Sequence, residues 1–416
     1  MTARPAKLLP SAVVAAAYVA FAAAAASAAP VAPARCAPHA EDASMARAGQ
    51  QVLRSRVHFA LSLLAGASGD RPVNAAVSPF GVSRVLAALD LGAGDAMKSS
   101  IAATLQLDGP GLADMSAAER TLAATFSGDD APLTSTDALF ADRSLNLASG
   151  VERKIAAAAP LLFERLDFAS PQARARINGL IAKKTRGRIT SILGPGLPPA
   201  LVAVNAFSFK DCWQVKFNSA NTRPQPFHRF DGTSVERAMM RRDDVRLAYA
   251  SQGHLQAVEL PYADARFALR LVTSDTPSSL KDLAQSTDLA ELLGATELSP
   301  TSVDLTLPKF TGTGDYDLLN TLADMGLKPG LAASAQFPGF GDGVKLSAIR
   351  QKTFVAVDET GTEAAAVTIG VVTATAARPA QPIAVSFDKP FVYALEHRAT
   401  GTILMIGYVA DPGGKI

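Results

Sequence analysis

The 416-residue chain is poor in the residues that metal, redox and disulfide chemistry require, with two cysteines, one tryptophan and five histidines. Cys36 and Cys212 make no disulfide framework, and whether they pair is left open by the sequence. His39, His58, His228, His254 and His397 include no pair at metal-ligand spacing, so neither a metal nor a cofactor is expected. There is no GxSxG elbow, no phosphate-cradling glycine loop with its lysine and no GxGxxG, which removes the common hydrolase and nucleotide chemistries. Ser278-Ser279-Leu280-Lys281 spells the SxxK of serine acyl-transferring enzymes. Its companion SDN and KTG motifs are missing, however, and Pro277 before two serines is an ordinary helix start. No enzymatic activity is expected. An excess of one charge is lacking as well: 40 basic and 38 acidic side chains leave +2, so no broad field favours nucleic acid. The densest basic run, Lys183-Lys184-Thr185-Arg186-Gly187-Arg188, reads as a solvated helix end followed by a turn.

Long apolar runs are confined to the N-terminus. Arg4 and Lys7 precede an uncharged stretch from Leu8 to Ala29 that ends in Ala26-Ser27-Ala28. This is the layout of a secretory signal, residues 1–28, cleaved after Ala28. Pro10 and an Ala-rich, Leu-poor composition speak against an uncleaved anchor of the same length. The mature body is therefore expected in a secreted or periplasmic location, with no membrane segment after cleavage. Residues 29–44, with Pro30, Pro33 and Pro38 among alanines, read as a flexible lead-in.

What is present is a globular body, 48% hydrophobic and 19% charged, with no break in composition from 45 to 413. From Gln50, residues Leu53, Val57, Ala60, Leu61 and Leu64 fall on one helical face. Ser78-Pro79 supplies a cap and a first helical residue, and Val82, Val85, Leu86 and Leu89 then recur at helical spacing. The chain to about residue 195 reads as helix-rich. Beyond residue 200, Leu201 to Lys210, His254 to Tyr262, Phe267 to Thr273 and Val303 to Phe310 read as strands. They are interrupted by a helix that Asp315 caps, Leu318, Leu319, Leu322 and Met325 line, and Gly326 ends. Thr353 to Glu359, Ile383 to Phe387, Phe391 to Leu395 and Thr402 to Val409 are further strands, with a turn at Ala399-Thr400-Gly401. Helices early and strands late, without alternation, predict an α+β fold in a single domain.

One segment fits no ordinary loop. Between the strands near 359 and 383, Ala364 to Ala377 reads AAAVTIGVVTATAA, with no charge. It is small, β-branched and strand-like, an aggregation hazard if left exposed. Its smallness is what a late-inserting strand needs, because bulky side chains do not enter an interior at native density. An always-paired extra strand is the other reading of these residues alone.

The flanks carry a family resemblance. Asp358-Glu359-Thr360-Gly361-Thr362-Glu363-Ala364-Ala365-Ala366 closely resembles the hinge of inhibitory serpins, and the chain is similar to a bacterial-type secreted member of that family. NAAVSPFGVSRVLAALDLG from Asn74 to Gly92, LVAVNAFSFKDCWQVKF from Leu201 to Phe217, LPKF from Leu307 to Phe310, and FDKPFVYALEHRATGTILMIGYVADP from Phe387 to Pro412 resemble further serpin motifs. The resemblance covers about 45 to 413 and implies three β-sheets, eight or nine helices and an exposed reactive-centre loop at about 360–382. It implies suicide inhibition of serine proteases. The protease attacks the loop and forms an acyl-enzyme, and the cut loop then inserts into the main sheet and drags the protease with it. Such a protein is metastable and is expected to act as a monomer.

The resemblance also assigns residues. Gly361 is the pivot, Thr362 the first side chain to enter the sheet, and Glu363, Ala364, Ala365 and Ala366 the rest of the hinge. Lys309 and Glu359 match the pair at the top of the main sheet, the breach, near Trp213. Ser78 and Asn205 match the polar shutter beneath the sheet, where Gln351 stands in place of the family's histidine, Gly81 in place of its second serine, and Asp211 in place of the usual glycine before the tryptophan motif. Counting from the hinge puts the reactive bond at Thr375-Ala376, within a window from Ala374 to Ala377 whose small residues suit an elastase-like or subtilisin-like pocket. Arg378 suits a trypsin-like enzyme less well, because Pro379 follows it. The competing function is a non-inhibitory serpin, a binding module whose loop never inserts. The small hinge residues speak against it.

Overall fold

The first apolar stripe folds as its spacing predicts. In the computed structural model, α1 (Gln50–Ser68) buries Leu53, Val57, Ala60, Leu61 and Leu64. Ser78 caps α2 (Pro79–Asp90): its Oγ accepts from the Gly81 N–H at 3.1 Å, while Pro79 sits where an N–H would go unused. The structure describes residues 50–69, 73–107, 131–158, 161–194, 201–327, 336–362 and 381–414, with a short helical piece between 115 and 123. Described residues from 50 onward fall in one compact unit, 34–416.

The main sheet takes its strands from distant parts of the chain. Its order is β3 (Leu162–Leu166), β2 (Leu133–Asp142), β4 (Leu201–Phe209) and β12 (Leu346–Val357), with β11 (Phe310–Asp317) on the far side of β12. At the head of the sheet, β13 (Gly361–Thr362) and β5 (Asp211–Cys212) complete it. β4 and β12 are parallel, paired from Leu201↔Leu346 to Ser208↔Phe354.

The second network runs β1 (Ala75–Val77), β16 (Thr402–Val409), β15 (Phe391–His397), β9 (Phe267–Ser274), β8 (Leu255–Pro261), β7 (Ser234–Gln252), β10 (Ser299–Pro308) and β14 (Ile383–Ser386), with β6 (Arg223–His228) against β7. The 19-residue β7 pairs with β6 at its start and with β8 at its end, so the other two expected sheets are hydrogen-bonded into one. The fold is α+β.

Apolar side chains fill both sides of the main sheet. Phe207, Phe209, Trp213, Val355 and Val357 meet Tyr262, Phe391 and Tyr393 of the second network. On the other face, Ala173, Ile177 and Ile181 of the helix Pro171–Lys184 cover Ala138, Val202, Val204 and Ala206. A strand closed in on both faces shows no period of two, and every residue of β4 is buried.

Three local expectations are corrected. The helix-rich reading up to 195 overlooked β2 and β3, because seven consecutive residues at the end of β2 are buried and leave no alternation to read. Asp315 does not cap a helix: it lies in β11 and pairs with Arg350 and Lys352, and the helix starts at Leu319. The run Val303 to Phe310 is two strands, since β10 ends at Pro308 and β11 begins at Phe310. No described helix is long and apolar enough to cross a membrane.

Candidate functional site

Where β12 ends, the chain reverses through Asp358-Glu359-Thr360 and returns as β13. The Asp358 N–H donates to Gly361 O at 2.9 Å, closing the turn. Gly361 has φ +155°, and a Cβ there would lie 2.2 Å from Asp211 O and 2.5 Å from Cys212 Cα, so glycine alone fits so close to the neighbouring backbone. Thr362 is fully buried and pairs antiparallel with Val357 on one side and Asp211 on the other. Its hydroxyl lies 2.8 Å from the Tyr262 hydroxyl.

The turn is clamped from outside. Trp213, 2% exposed, donates from Nε1 to Asp358 O at 2.8 Å and from its backbone N–H to Thr360 O at 3.0 Å. Its ring stacks on Tyr262 with centroids 4.5 Å apart. Between these bonds, Glu359 receives the Lys309 ammonium at 2.8 Å and the Thr222 hydroxyl at 2.8 Å. Burial opposes its ionisation, but Lys309 and Thr222 outweigh it and hold the carboxyl below the ordinary glutamate range.

Lower in the sheet, Ser78, Asn205 and Gln351 come together although they lie far apart in sequence. Gln351 donates from Nε2 to Ser78 O at 2.9 Å and to Asn205 Oδ1 at 2.8 Å, and its Oε1 accepts from the Ser78 N–H at 2.9 Å. The Ser78 hydroxyl donates to Leu404 O at 2.7 Å. Gln351 and Asn205 are opposed residues of β12 and β4, so their bond spans the seam between those strands. A Cβ on Gly81 would lie 2.0 Å from Asn205 Nδ2, so a serine there has no room.

A family model described as Serpin (serine protease inhibitor) matches residues 54–412. The chain belongs to the serpin family. Among the relatives of this serpin, Serpin-ZXA of Oryza sativa subsp. japonica is 29% identical over 90% of this chain and 99% of its own length. The leukocyte elastase inhibitor of Xenopus laevis is 28% identical over 80% of this chain and 92% of its own. The native-state crystal structure of Tengpin, a thermophilic serpin, superposes with TM-score 0.77 at 21% identity, covering 90% of this chain and 96% of that one.

Several residues of this serpin escaped sequence reasoning. Asn205 donates from Nδ2 to Asp137 of β2, and Asp137 forms a buried ion pair with Arg84 of α2. The signal was there, in one arginine and one aspartate inside otherwise apolar or small-residue segments, but only the tertiary structure pairs them. Tyr262 was read merely as the end of a strand. Asp211 is buried: its Oδ1 accepts from the Cys212 N–H at 2.8 Å and its Oδ2 from the Asp264 N–H at 3.0 Å. Cys212 is disulfide-bonded. The other cysteine, Cys36, lies outside the described residues, as do the expected signal and lead-in, Glu363, Ala364, Ala365, Ala366 and the reactive bond Thr375-Ala376.

Proposed function

We propose that this serpin is a secreted or periplasmic, bacterial-type, monomeric suicide-substrate inhibitor of serine proteases, with a signal at 1–28, one domain from 45 to 413 and no catalytic activity of its own. The observation that carries the reading is the seat of Thr362. It pairs with β12 on one side and β5 on the other, antiparallel to both, which is the orientation a strand inserted between β4 and β12 would take.

Extending those two registers gives the course of insertion. Residue pairs across β12 follow Val357↔Thr362, and those across β5 and then β4 follow Asp211↔Thr362. Both extensions bring Thr368 between Gln351 and Asn205, which face each other now. In such an inserted strand side chains would alternate, so Ala364, Ala366 and Thr368 would share the inward face of Thr362, and Glu363 would turn outward. The inward series is small until it reaches the polar seam, where it offers a hydroxyl to groups that lose each other when β4 and β12 part. Lys309, Glu359 and Trp213 form the breach that holds the turn, and Ser78, Asn205 and Gln351 the shutter that resists parting.

A bond cut at Thr375-Ala376 leaves about 13 residues beyond Thr362, or roughly 45 Å of strand. That carries a tethered acyl-enzyme to the opposite end of the sheet. The small residues from Ala374 to Ala377 suit a shallow elastase-like or subtilisin-like pocket, and one relative is named for inhibiting leukocyte elastase. The mature protein mixed with elastase is expected to give a covalent complex that survives denaturing electrophoresis. Complete cleavage without such a species would overturn the reading in favour of a non-inhibitory binding module.

A further inference from the structure

The polar seam does not end at Asp137. Glu119, on the helical piece between 115 and 123, is 4% exposed. Its Oε1 accepts from the Ser83 hydroxyl at 2.7 Å, while its Oε2 has no hydrogen-bond partner among the described residues. The charged groups acting on it come from three elements: Arg56 of α1, Arg84 of α2 and Asp137 of β2. From β16, Thr402 accepts from Arg56 Nη1 at 3.1 Å, and Thr400 links Thr402 to His397 Nδ1. A cavity of about 20 Å³, lined by Arg56, Ser83, Met115, Glu119 and Thr402 among others, lies beside the carboxyl. It has room for one water, and therefore for a proton to be delivered.

We propose that Glu119 is a proton-operated latch on the parting of β4 and β12, an inference that rests on the insertion reading above. The connection runs from Glu119 through its hydrogen bond to Ser83 of α2, to the adjacent Arg84 and its ion pair with Asp137, then from Asp137 to Asn205, and from Asn205 across the seam to Gln351. With Glu119 protonated, Asp137, whose carboxyl burial pushes up against the pull of Arg84, Asn205 and Ser135, is the acidic partner of Arg84 in this connection, and any movement of β2 and β4 disturbs a buried ion pair. With Glu119 ionised, Arg84 and Arg56 have a second anion beside them, and Asp137 and Asn205 can move with their strands at lower cost. The proton passes between Oε2 and water. Burial pushes the Glu119 carboxyl up to about 7, against the pull of Ser83, Arg56 and Arg84, so the change falls in the neutral range. Because the folded value lies above the ordinary 4.5, the native state loses stability on account of Glu119 as pH rises from 4.5 to about 7.

The test nicks the loop and follows insertion by the fluorescence of Trp213, the single tryptophan, which lies against the hinge turn. Wild type is expected to insert faster at pH 8 than at pH 6, by roughly tenfold for each pKa unit that parting removes from Glu119. Glu119→Gln should insert at the slow, acidic rate throughout, and its melting temperature should exceed that of wild type at pH 8 more than at pH 5. Identical pH profiles for the two proteins would overturn the latch while leaving insertion intact. This comparison also separates Glu119 from His397, which both proteins retain. Failure of both proteins to insert at any pH would overturn the insertion reading and the latch with it. Should Glu119→Gln not fold, the infrared carbonyl band of a protonated carboxyl in wild type decides. The band should disappear with a midpoint near 7, and its absence at pH 6 would refute the proposal.

Discussion

Placing a charge at Thr362 tests the seat of the hinge most directly. Thr362 is fully buried, its hydroxyl meets Tyr262 at 2.8 Å, and Asp211 stands opposite it across the strand pair. Thr362→Glu therefore buries a carboxylate beside a buried aspartate. Removing the Tyr262 bond costs about 1 kcal/mol, and an uncompensated buried ion costs several more. If even 3 kcal/mol of this opposes reinsertion of the hinge, insertion slows by more than about a hundredfold. Acyl-enzyme hydrolysis then overtakes it, and the inhibitor becomes a substrate. The assay is the stoichiometry of elastase inhibition together with the yield of covalent complex on a denaturing gel. Thr362→Val, which keeps the shape and loses only the hydroxyl, should retain most of the complex. If Thr362→Glu forms complex at the wild-type yield, Thr362 is not where insertion starts and the register argument fails with it.

Lys309→Ala should lower the melting temperature only slightly, by the equivalent of about 0.5 kcal/mol, because the ammonium is 43% exposed and well screened. The depressed Glu359 carboxyl contributes stability above its ordinary range, and that contribution is lost as pH falls through its lowered value; Lys309→Ala should flatten this acid limb in melts from pH 3 to 6. Gly81→Ser should lower the melting temperature at every pH, by the equivalent of about 1–3 kcal/mol, since its Cβ falls on Asn205. Unchanged melting of Gly81→Ser would mean that the seam has slack.

Insertion and its pH control would depend on two separate groups of residues, one at the head of the main sheet and one at the seam of β4 and β12. Of the breach contacts, the Lys309 ammonium reaches Glu359 from the protein's surface, where salt screens it, whereas Trp213 holds the turn from a buried position. The Arg84–Asp137 pair and Glu119 are buried, where an unbalanced charge weighs far more. Substitution of Lys309 is therefore expected to be mild, and substitution of the buried Trp213, Arg84 or Asp137 severe.

Elements whose signals are local could be read from the order of the residues alone. The α1 stripe, the Ser78-Pro79 start and the terminal strands were legible because each depends on neighbours within a few residues. The stretch Ala364 to Ala377 stood out in the sequence for a similar reason, since an uncharged, β-branched run between strands is unusual wherever it occurs. The tertiary structure decided the rest. β2 carries no alternation because both its faces are covered, and that covering comes from α2 on one side and the helix Pro171–Lys184 on the other. Asp315 looked like a cap until Arg350 and Lys352 were placed beside it by the pairing of β11 with β12. In the sequence, Gln351 and Gly81 stand out only as departures from the serpin pattern, and a glutamine can still donate and accept. Folded, the glutamine satisfies three partners at the seam and the glycine makes room for Asn205. Glu119 gave no warning, because a charge becomes informative only when the fold removes its water and chooses its partner.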